Sequence, residues 1–226
     1  MKQFTKWFTC LLTVLMTGNA QENSGFEVSV SSGYVIPSSP MSFANYWKMQ
    51  YGGALGAGIA LTPSITIGGA FEYYQFTLDN NGINKGFDTK YMRDIWVFND
   101  VALKPSANTS TVMTLAAQMR IAPPELSGSL SPYFLTGAGV MFFSLSEISL
   151  PVKSTILVGG STVAMSAQQR IIGGDETIPF AQFGLGMNYR LTEFFNVFIE
   201  ARYTRGLNKG LGTTYLPLTA GIKYLL

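Results

Sequence analysis

Apolar residues alternate with small or polar residues over segments of about 8–13 residues in this chain. A period of two puts successive side chains on opposite faces of a β-strand, so each segment predicts a strand with one apolar face. The segments in which the two faces separate most clearly begin at Phe26, Leu55, Ile65, Met113, Ala181, Phe195 and Leu216.

The hydropathy pattern excludes transmembrane helices and favours a barrel. After residue 20 no window approaches the 18 consecutive apolar residues that a spanning helix requires. Strands cross a bilayer only when they close on themselves, because every backbone group must then find a partner within the protein. We therefore expect an all-β fold, a closed antiparallel transmembrane β-barrel. The segment Tyr133–Phe143 is apolar on both faces, and we expect Gly137 and Gly139 to point inward.

The connections alternate between short and long, as in outer-membrane barrels. Thr62–Ser64 and Leu191–Glu193 predict short turns, and 123–131 predicts a wider turn at the same end. Eight strands result from this count. If Ile95–Leu103 and Ile156–Met165 also spanned, there would be ten, but we expect them to be extensions or hairpins outside the barrel. The longer loops are expected at 36–50, 78–109, 145–177 and 206–213.

The first 20 residues predict a secretory signal peptide. Lys2 and Lys6 form a positive region, Trp7–Met16 is apolar, and the small residues Gly18 and Ala20 precede the expected cleavage site. The apolar stretch is too short to span a bilayer. The expected domains are therefore a signal peptide at 1–20 and an outer-membrane β-barrel at 21–226.

Composition and charge narrow the function further. Apolar residues make up 47% of the chain and charged residues only 12%, which suits a protein solvated partly by lipid. Loss of Lys2 and Lys6 would leave 13 basic residues against 13 acidic ones, so we expect no nucleic-acid partner. Cys10 is the only cysteine and lies in the expected signal peptide, so the mature barrel has no disulfide.

The chain contains no histidine, which argues against the common hydrolytic mechanisms. A serine nucleophile normally needs a histidine base, so we expect no catalytic residues and no enzyme. A histidine or cysteine metal site is equally excluded, and we expect no metal site and no cofactor. The remaining oxygen ligands match no calcium-binding loop: Asp79, Asp88, Asp175 and Glu176.

The inward faces of the predicted strands collect charged residues of both signs. Unpaired charges are costly in a narrow lumen, so we expect these side chains to pair and to plug the barrel. The alternative is a gated polar path for ions or small solutes; a wide channel is excluded because it needs about 16 strands. The expected lumen ion-pair network comprises Glu27, Glu72, Arg120, Arg190, Glu200, Arg202 and Lys223.

Aromatic residues near the strand ends predict girdles at the two membrane interfaces. The expected girdle residues are Tyr34, Tyr73, Tyr133, Tyr189, Phe194, Phe195, Tyr203, Tyr215 and Tyr224.

Three segments resemble the OmpA/OmpX-like outer-membrane β-barrel families: Pro132–Phe143, Tyr189–Tyr203 and Leu218–Leu226. The resemblance covers residues 25–226 and identifies an architecture rather than a function. It implies that the C-terminal strand is recognised by the barrel-assembly machinery. That strand commonly ends in Phe in these families, whereas this chain ends in Leu226. We expect no periplasmic domain after it.

Four functions are compatible with the pattern. We favour a non-enzymatic barrel in the bacterial outer membrane, in contact with its lipid, which displays extracellular loops for adhesion, partner binding or envelope stabilisation. The alternative is a narrow porin-like channel or a side-opening conduit for small solutes. A lipid-modifying enzyme is disfavoured by the missing histidine. A soluble lipocalin-like barrel would carry its apolar faces inside, the reverse of the faces predicted for this chain.

Overall fold

A computed structural model describes residues 25–87, 106–123, 129–158, 161–171, 173–207 and 212–226. The expected signal peptide at 1–20 and the segment Ile95–Leu103 lie outside these residues. The elements in chain order are β1 (Phe26–Ser39), α1 (Met41–Tyr46), β2 (Trp47–Lys48), β3 (Gln50–Thr62), β4 (Ile65–Leu78), α2 (Asn80–Phe87), β5 (Ser106–Ala107), β6 (Ser110–Ile121), β7 (Leu130–Leu145), β8 (Ile148–Val158), β9 (Ser161–Ile171), β10 (Gly174–Arg190), β11 (Phe195–Gly206) and β12 (Thr214–Leu225).

Eight of the strands close into an antiparallel transmembrane barrel, as predicted. The order of neighbours around the barrel is β1, β3, β4, β6, β7, β10, β11 and β12. Pairing of β1 with β12 closes the ring, from Glu27 opposite Leu225 to Ser39 opposite Thr214. Every strand of the barrel therefore has a partner on both sides, which removes the open edges that a membrane does not tolerate.

The predicted alternation of faces is confirmed by the exposure of the side chains. On β10 and β11, Leu185 is 68% exposed and Ile199 61%, whereas Gln182 is fully buried and Glu200 is 7% exposed. The apolar face thus points away from the barrel and the polar face lines its lumen. On β7, which the sequence left without an orientation, Tyr133 and its alternate neighbours point inward, and so do Gly137 and Gly139.

Two short turns at one end of the barrel, termed the short-turn end, are stabilised by the same kind of side-chain-to-backbone hydrogen bond. In the turn between β3 and β4, Thr62 Oγ1 accepts hydrogen bonds from the backbone N–H groups of Ser64 at 3.3 Å and Ile65 at 3.1 Å. Between β10 and β11, Thr192 Oγ1 accepts from Phe194 at 3.2 Å and Phe195 at 3.0 Å. In each turn the threonine hydroxyl accepts hydrogen bonds from backbone N–H groups that have no carbonyl partner on the opposite strand, and it thereby stabilises the turn.

The opposite end, the loop end, is closed by an apolar layer that the sequence did not predict. Helix α1 places Phe43 between Phe76 and Phe143, with ring centroids 5.0 and 5.2 Å away in edge-to-face contact. Trp47 and Ile83 are buried in the same cluster. These five residues, all at most 5% exposed, are called the apolar lid.

Close packing of the two helices holds the lid in place. A Cβ atom at Gly82 in α2 would collide with the backbone carbonyl of Asn45 in α1, so only glycine permits this approach. The backbone N–H of Asp79, just before α2, donates to the carbonyl of Tyr46 at 2.7 Å. Neither helix crosses the bilayer: no helix within the described ranges has the length and hydropathy required.

The long connection between β7 and β10 differs from the loop expected at 145–177. Pairing of β7 with β10 continues to Leu145 opposite Gly174. The intervening residues form the hairpin β8–β9, which with β5 makes a separate three-stranded sheet. The segment Ile156–Met165 therefore belongs to a hairpin outside the barrel, which excludes it as a spanning pair of strands.

The exterior carries part of the expected aromatic girdles. Tyr34 and Tyr51 point outward near the loop end, and their hydroxyl oxygens are 2.5 Å apart. Near the short-turn end, the Phe195 and Tyr224 rings lie 4.9 Å apart. Tyr133 and Tyr215 do not join a girdle.

Tyr133 and Tyr215 are 3% and 0% exposed inside the barrel. For Tyr215 the reason is the alternation of side chains along β12. Leu216 and Leu218 lie on the opposite face of the strand from Tyr215, and because Leu218 points outward, Tyr215 points into the lumen. Tyr133 points inward with the alternate residues of β7.

Candidate functional site

The candidate site is the lumen, where charged side chains form two clusters. The first, called the turn-end cluster, contains Glu27, Arg120, Asn188 and Lys223. Arg120 Nη1 donates to Glu27 Oε1, and Lys223 Nζ lies 3.4 Å from Glu27 Oε2. Lys223 Nζ also donates to Asn188 Oδ1 at 3.3 Å. One carboxylate thus faces two cations close to the short-turn end.

The second, called the central cluster, contains Glu72, Tyr74, Tyr133, Glu200 and Arg202. Arg202 Nη1 donates to Glu72 Oε1 across the lumen, and Nη2 donates to Tyr74 OH at 3.2 Å. Arg202 Nε lies 2.8 Å from Glu200 Oε1, an ion-pair contact without hydrogen-bond alignment. Tyr74 OH donates to Glu72 Oε2 at 3.1 Å, and Tyr133 OH to Glu200 Oε2 at 2.8 Å.

The central cluster depends on a glycine that clears a path across one strand. Gly186 on β10 pairs with Tyr133 on β7 and with Glu200 on β11. A Cβ atom at Gly186 would overlap the Tyr133 ring. The absent side chain therefore lets the phenol lie over β10 and reach the carboxylate on the next strand.

Tyr133 also connects the two clusters. Lys223 Nζ is 5.5 Å and Arg120 Cζ 6.0 Å from the centroid of its ring, within the range of cation–π attraction. Its hydroxyl belongs to the central cluster, while its ring faces the cations of the turn-end cluster. The sequence did not identify this role, because both faces of β7 are apolar.

The structure brings six of the seven expected network residues into the two clusters. The seventh, Arg190, is exposed at the last position of β10, and its backbone N–H donates to the Ser129 carbonyl at 2.8 Å. Parity assigns Arg190 to the inward face, but the strand ends there and its side chain reaches solvent. The lumen clusters therefore hold three acids and three bases rather than three and four.

The two clusters are not separately neutral. The turn-end cluster holds one carboxylate and two cations, whereas the central cluster holds two carboxylates and Arg202 alone. All three central charges are almost fully buried, with side chains at most 5% exposed. Low local polarity strengthens such pairs and makes any unpaired member costly.

The acids considered as metal ligands do not assemble. Asp79 pairs with Lys48 Nζ at 3.5 Å, and Asp175 accepts a hydrogen bond from Ser144 Oγ at 2.6 Å. Asp88 lies outside the described residues. Within those residues, no three His, Cys, Asp or Glu side chains are grouped closely enough to hold a metal ion.

Solved structures share this architecture. Neisserial surface protein A (NspA) is 14% identical, with a TM-score of 0.55 over 90% of this chain and 98% of that protein. A major outer membrane protein from Thermus thermophilus is 13% identical, with a TM-score of 0.51 over 89% of this chain and 99% of that protein. No family model and no curated protein matches the sequence. The likeness in structure shows the fold alone, which is that of a small closed outer-membrane β-barrel.

Proposed function

We propose that this protein is a non-enzymatic barrel of the bacterial outer membrane that displays its loop-end structures for adhesion, partner binding or envelope stabilisation. The observation that carries the proposal is the filled lumen. Two ion-pair clusters occupy its middle and its short-turn end, and the apolar lid occupies its loop end. A barrel filled at every level serves as a scaffold better than as a pore.

The exterior supports contact with outer-membrane lipid. Large apolar side chains such as Leu115 and Leu185 are 60% and 68% exposed on the outer face. A water-soluble barrel of this size would expose far less apolar surface. The last strand keeps its outward alternation through Ile222, which suits recognition by the barrel-assembly machinery.

The loop end offers more structure to a partner than the short-turn end does. Pairing of β7 with β10 extends to Leu145 and Gly174, and the hairpin β8–β9 projects from them. In that hairpin Arg170 is exposed and lies 3.4 Å from Glu147. Loops on a rigid scaffold are the usual carriers of recognition.

Surface proteolysis tests the display directly. Trypsin added to intact cells should cut after Arg170 while the barrel strands stay protected, because paired strands in lipid resist proteases. Arg170→Gln is the matched control and should lose that cut. A chain that becomes cleavable at Arg170 only after the outer membrane is opened would refute display of this hairpin at the cell surface.

An adhesion assay tests what the display is for. Cells that express a variant with residues 148–171 replaced by a short Gly/Ser linker should adhere less to an epithelial monolayer than cells with the wild-type barrel. Equal adhesion of both strains, at equal surface amounts, would argue for envelope stabilisation instead.

A narrow channel is the second candidate, supported by the polar groups that continue along the lumen from Lys223 to Arg202. Single-channel recording in planar bilayers separates the two. The display function predicts no steady current from the wild-type barrel. A small, regular conductance would favour the channel.

A further inference from the structure

The three-stranded sheet at the loop end leaves one side of β9 without a strand. The order of strands in this sheet is β5, β8, β9, so β9 is paired on one side only within the described residues. Its pairing with β8 runs from Ile148 opposite Ile171 to Val158 opposite Ser161. The backbone groups on the far side of β9 therefore face no strand in the described part of the chain, and this side is called the open edge.

The sheet is anchored to the barrel at its base. Ile148, the first residue of β8, is 3% exposed and packs in the same apolar cluster as the lid. Just before it, the backbone N–H of Ser146 donates to Ser110 Oγ at 2.9 Å, and Ser146 Oγ donates to the Thr109 carbonyl at 3.0 Å. A base held in this way lowers the entropic cost of docking a partner on the open edge.

The usual protections of an exposed edge are present on β8 and missing from β9. Such edges are commonly blocked by charge, by proline or by short strand length. β8 carries Lys153 and also Pro151, which has no backbone N–H to offer. In β9, Ser161–Gln169 contains neither a charged residue nor a proline, and the strand is 11 residues long. A long edge without protection is a template for another strand.

A second copy of β9 fits this template. Antiparallel pairing about a two-fold axis lets each copy satisfy the other's backbone groups over the same residues. The single charged residue of β9 is Arg170, near its barrel end. Pairing centred on Ser166 sets Arg170 opposite Thr162 of the second copy, so no like charges meet, and Arg170 lies 3.4 Å from Glu147 of its own chain. A foreign strand would need an equally long unprotected edge, whereas every copy of this barrel presents one.

The direction of β9 decides where the second copy must lie. β9 runs from the tip of the hairpin at Ser161 toward the barrel at Ile171. Two copies in one membrane have β9 strands that run the same way, so these strands cannot form an antiparallel pair. Copies in two facing membranes have β9 strands that run in opposite directions. At about 3.4 Å per residue, β9 extends over about 35 Å, so the two strands overlap at a distance from either barrel.

We propose that the open edge is a homophilic adhesion surface, on which β9 of one barrel pairs antiparallel with β9 of a second copy in the outer membrane of a neighbouring cell. The two three-stranded sheets then form one continuous sheet between the cells. The inference rests on the proposed display function and names its partner. Many copies on each cell act together, so a weak single contact produces strong adhesion.

Charge reversal on one face of β9 tests the pairing. Ala164, Ser166 and Gln168 alternate along the strand and therefore share a face. The lysine variant replaces all three by lysine, and the glutamate variant replaces all three by glutamate. Either variant sets like charges opposite each other in the self-paired strands, whether the pairing is centred on Ser166 or on Met165. A mixture of the two variants sets opposite charges together instead.

The assay counts clusters of cells that express the full chain and carry one of two fluorescent dyes. Wild-type cells should cluster. Cells with the lysine variant alone, or with the glutamate variant alone, should cluster at least about tenfold less. An equal mixture of the two variants should recover clusters that contain both dyes, which also shows that both variants fold and are displayed.

The same comparison in phosphatidylcholine vesicles that contain the purified barrel removes all other surface molecules. Undiminished clustering of either variant alone, or no clustering in the mixture, would overturn the pairing. Copies that associate within one vesicle without joining vesicles would place the partner in the same membrane and overturn the contact between cells. Trypsin cleavage after Arg170 on intact cells separates the two proposals. Cleavage without clustering of wild-type cells and vesicles overturns the homophilic contact alone, whereas absence of cleavage on intact cells overturns display itself.

Discussion

Replacing Glu200 by alanine should destabilise the barrel without opening it. The substitution removes the acceptor of the 2.8 Å hydrogen bond from Tyr133 and the carboxylate 2.8 Å from Arg202 Nε. Breaking a buried ion pair by removing one partner costs about 3–5 kcal/mol. Because Arg202 keeps its pairing with Glu72, we expect the lower end of that range, about 3 kcal/mol.

Two companion variants define how the cost arises. Arg202→Met leaves both Glu72 and Glu200 without their cation, so its cost should reach about 5 kcal/mol. Glu200→Gln keeps an acceptor for Tyr133 and leaves Arg202 paired with Glu72 alone, so about 1 kcal/mol is expected. The order of cost is therefore Arg202→Met, then Glu200→Ala, then Glu200→Gln.

The assay is equilibrium unfolding in urea from phospholipid vesicles, followed by tryptophan fluorescence, with bilayer current recorded on the same preparations. Ile199→Ala, on the outer face of the same strand, controls for loss of side-chain volume. If Glu200→Ala left the stability unchanged but altered the current, the carboxylate would line a conducting path. The assignment of Glu200 to a structural ion pair would then be wrong.

Three further predictions follow from the same geometry. The folded barrel extracted in mild detergent should migrate faster unheated than boiled, because its closed backbone ladder resists unfolding; identical migration would argue against a stable barrel. Leu185→Arg and Ile199→Arg should each lower the free energy of unfolding from vesicles by about 2–4 kcal/mol. Gln182→Ala, on the inner face, should lower it by about 1 kcal/mol or less. Equal losses on the two faces would mean that the inward and outward faces are misassigned. Gly186→Leu should cost at least about 2 kcal/mol, since its side chain would displace Tyr133 from Glu200, and a Gly186→Leu barrel as stable as wild type would contradict that path.

The period-two pattern was sufficient to predict the barrel and its faces. A strand alternates strictly, so the inward positions of Glu72 and Glu200 and the outward position of Leu185 follow from local sequence alone. The same alternation places Tyr215 inside the barrel, although its position near a strand end is also typical of a girdle residue. For β7 the alternation did not predict which face points inward. Its inner face packs in an apolar layer of the lumen and its outer face contacts lipid, so both faces carry apolar residues.

The partners of the lumen charges could not be predicted from the sequence. Arg202 contacts Glu72 across the barrel. Which inward residues lie at the same height along the barrel axis depends on the stagger of the strands. The alternation also shows only on which face of a strand a residue lies, not how far along the barrel axis. Arg190 was therefore expected in the network although it lies at the end of its strand. The lid was missed for a different reason. Helix α1 is only about one and a half turns long. Its helical form depends on the burial of Phe43, a tertiary contact that the local sequence does not indicate.

The pairing of β1 with β12 determines how this chain can assemble. Glu27 and its partner Leu225 are separated by nearly the whole described chain, so the ring cannot close until the last strand is available. A barrel opened at that seam would present two unpaired backbone edges to lipid, which is energetically prohibitive. Insertion and closure must therefore occur together, or the seam must be held by another protein until β12 arrives. We expect closure of this seam, the contact between the residues most distant in sequence, to be slower than formation of any local hairpin.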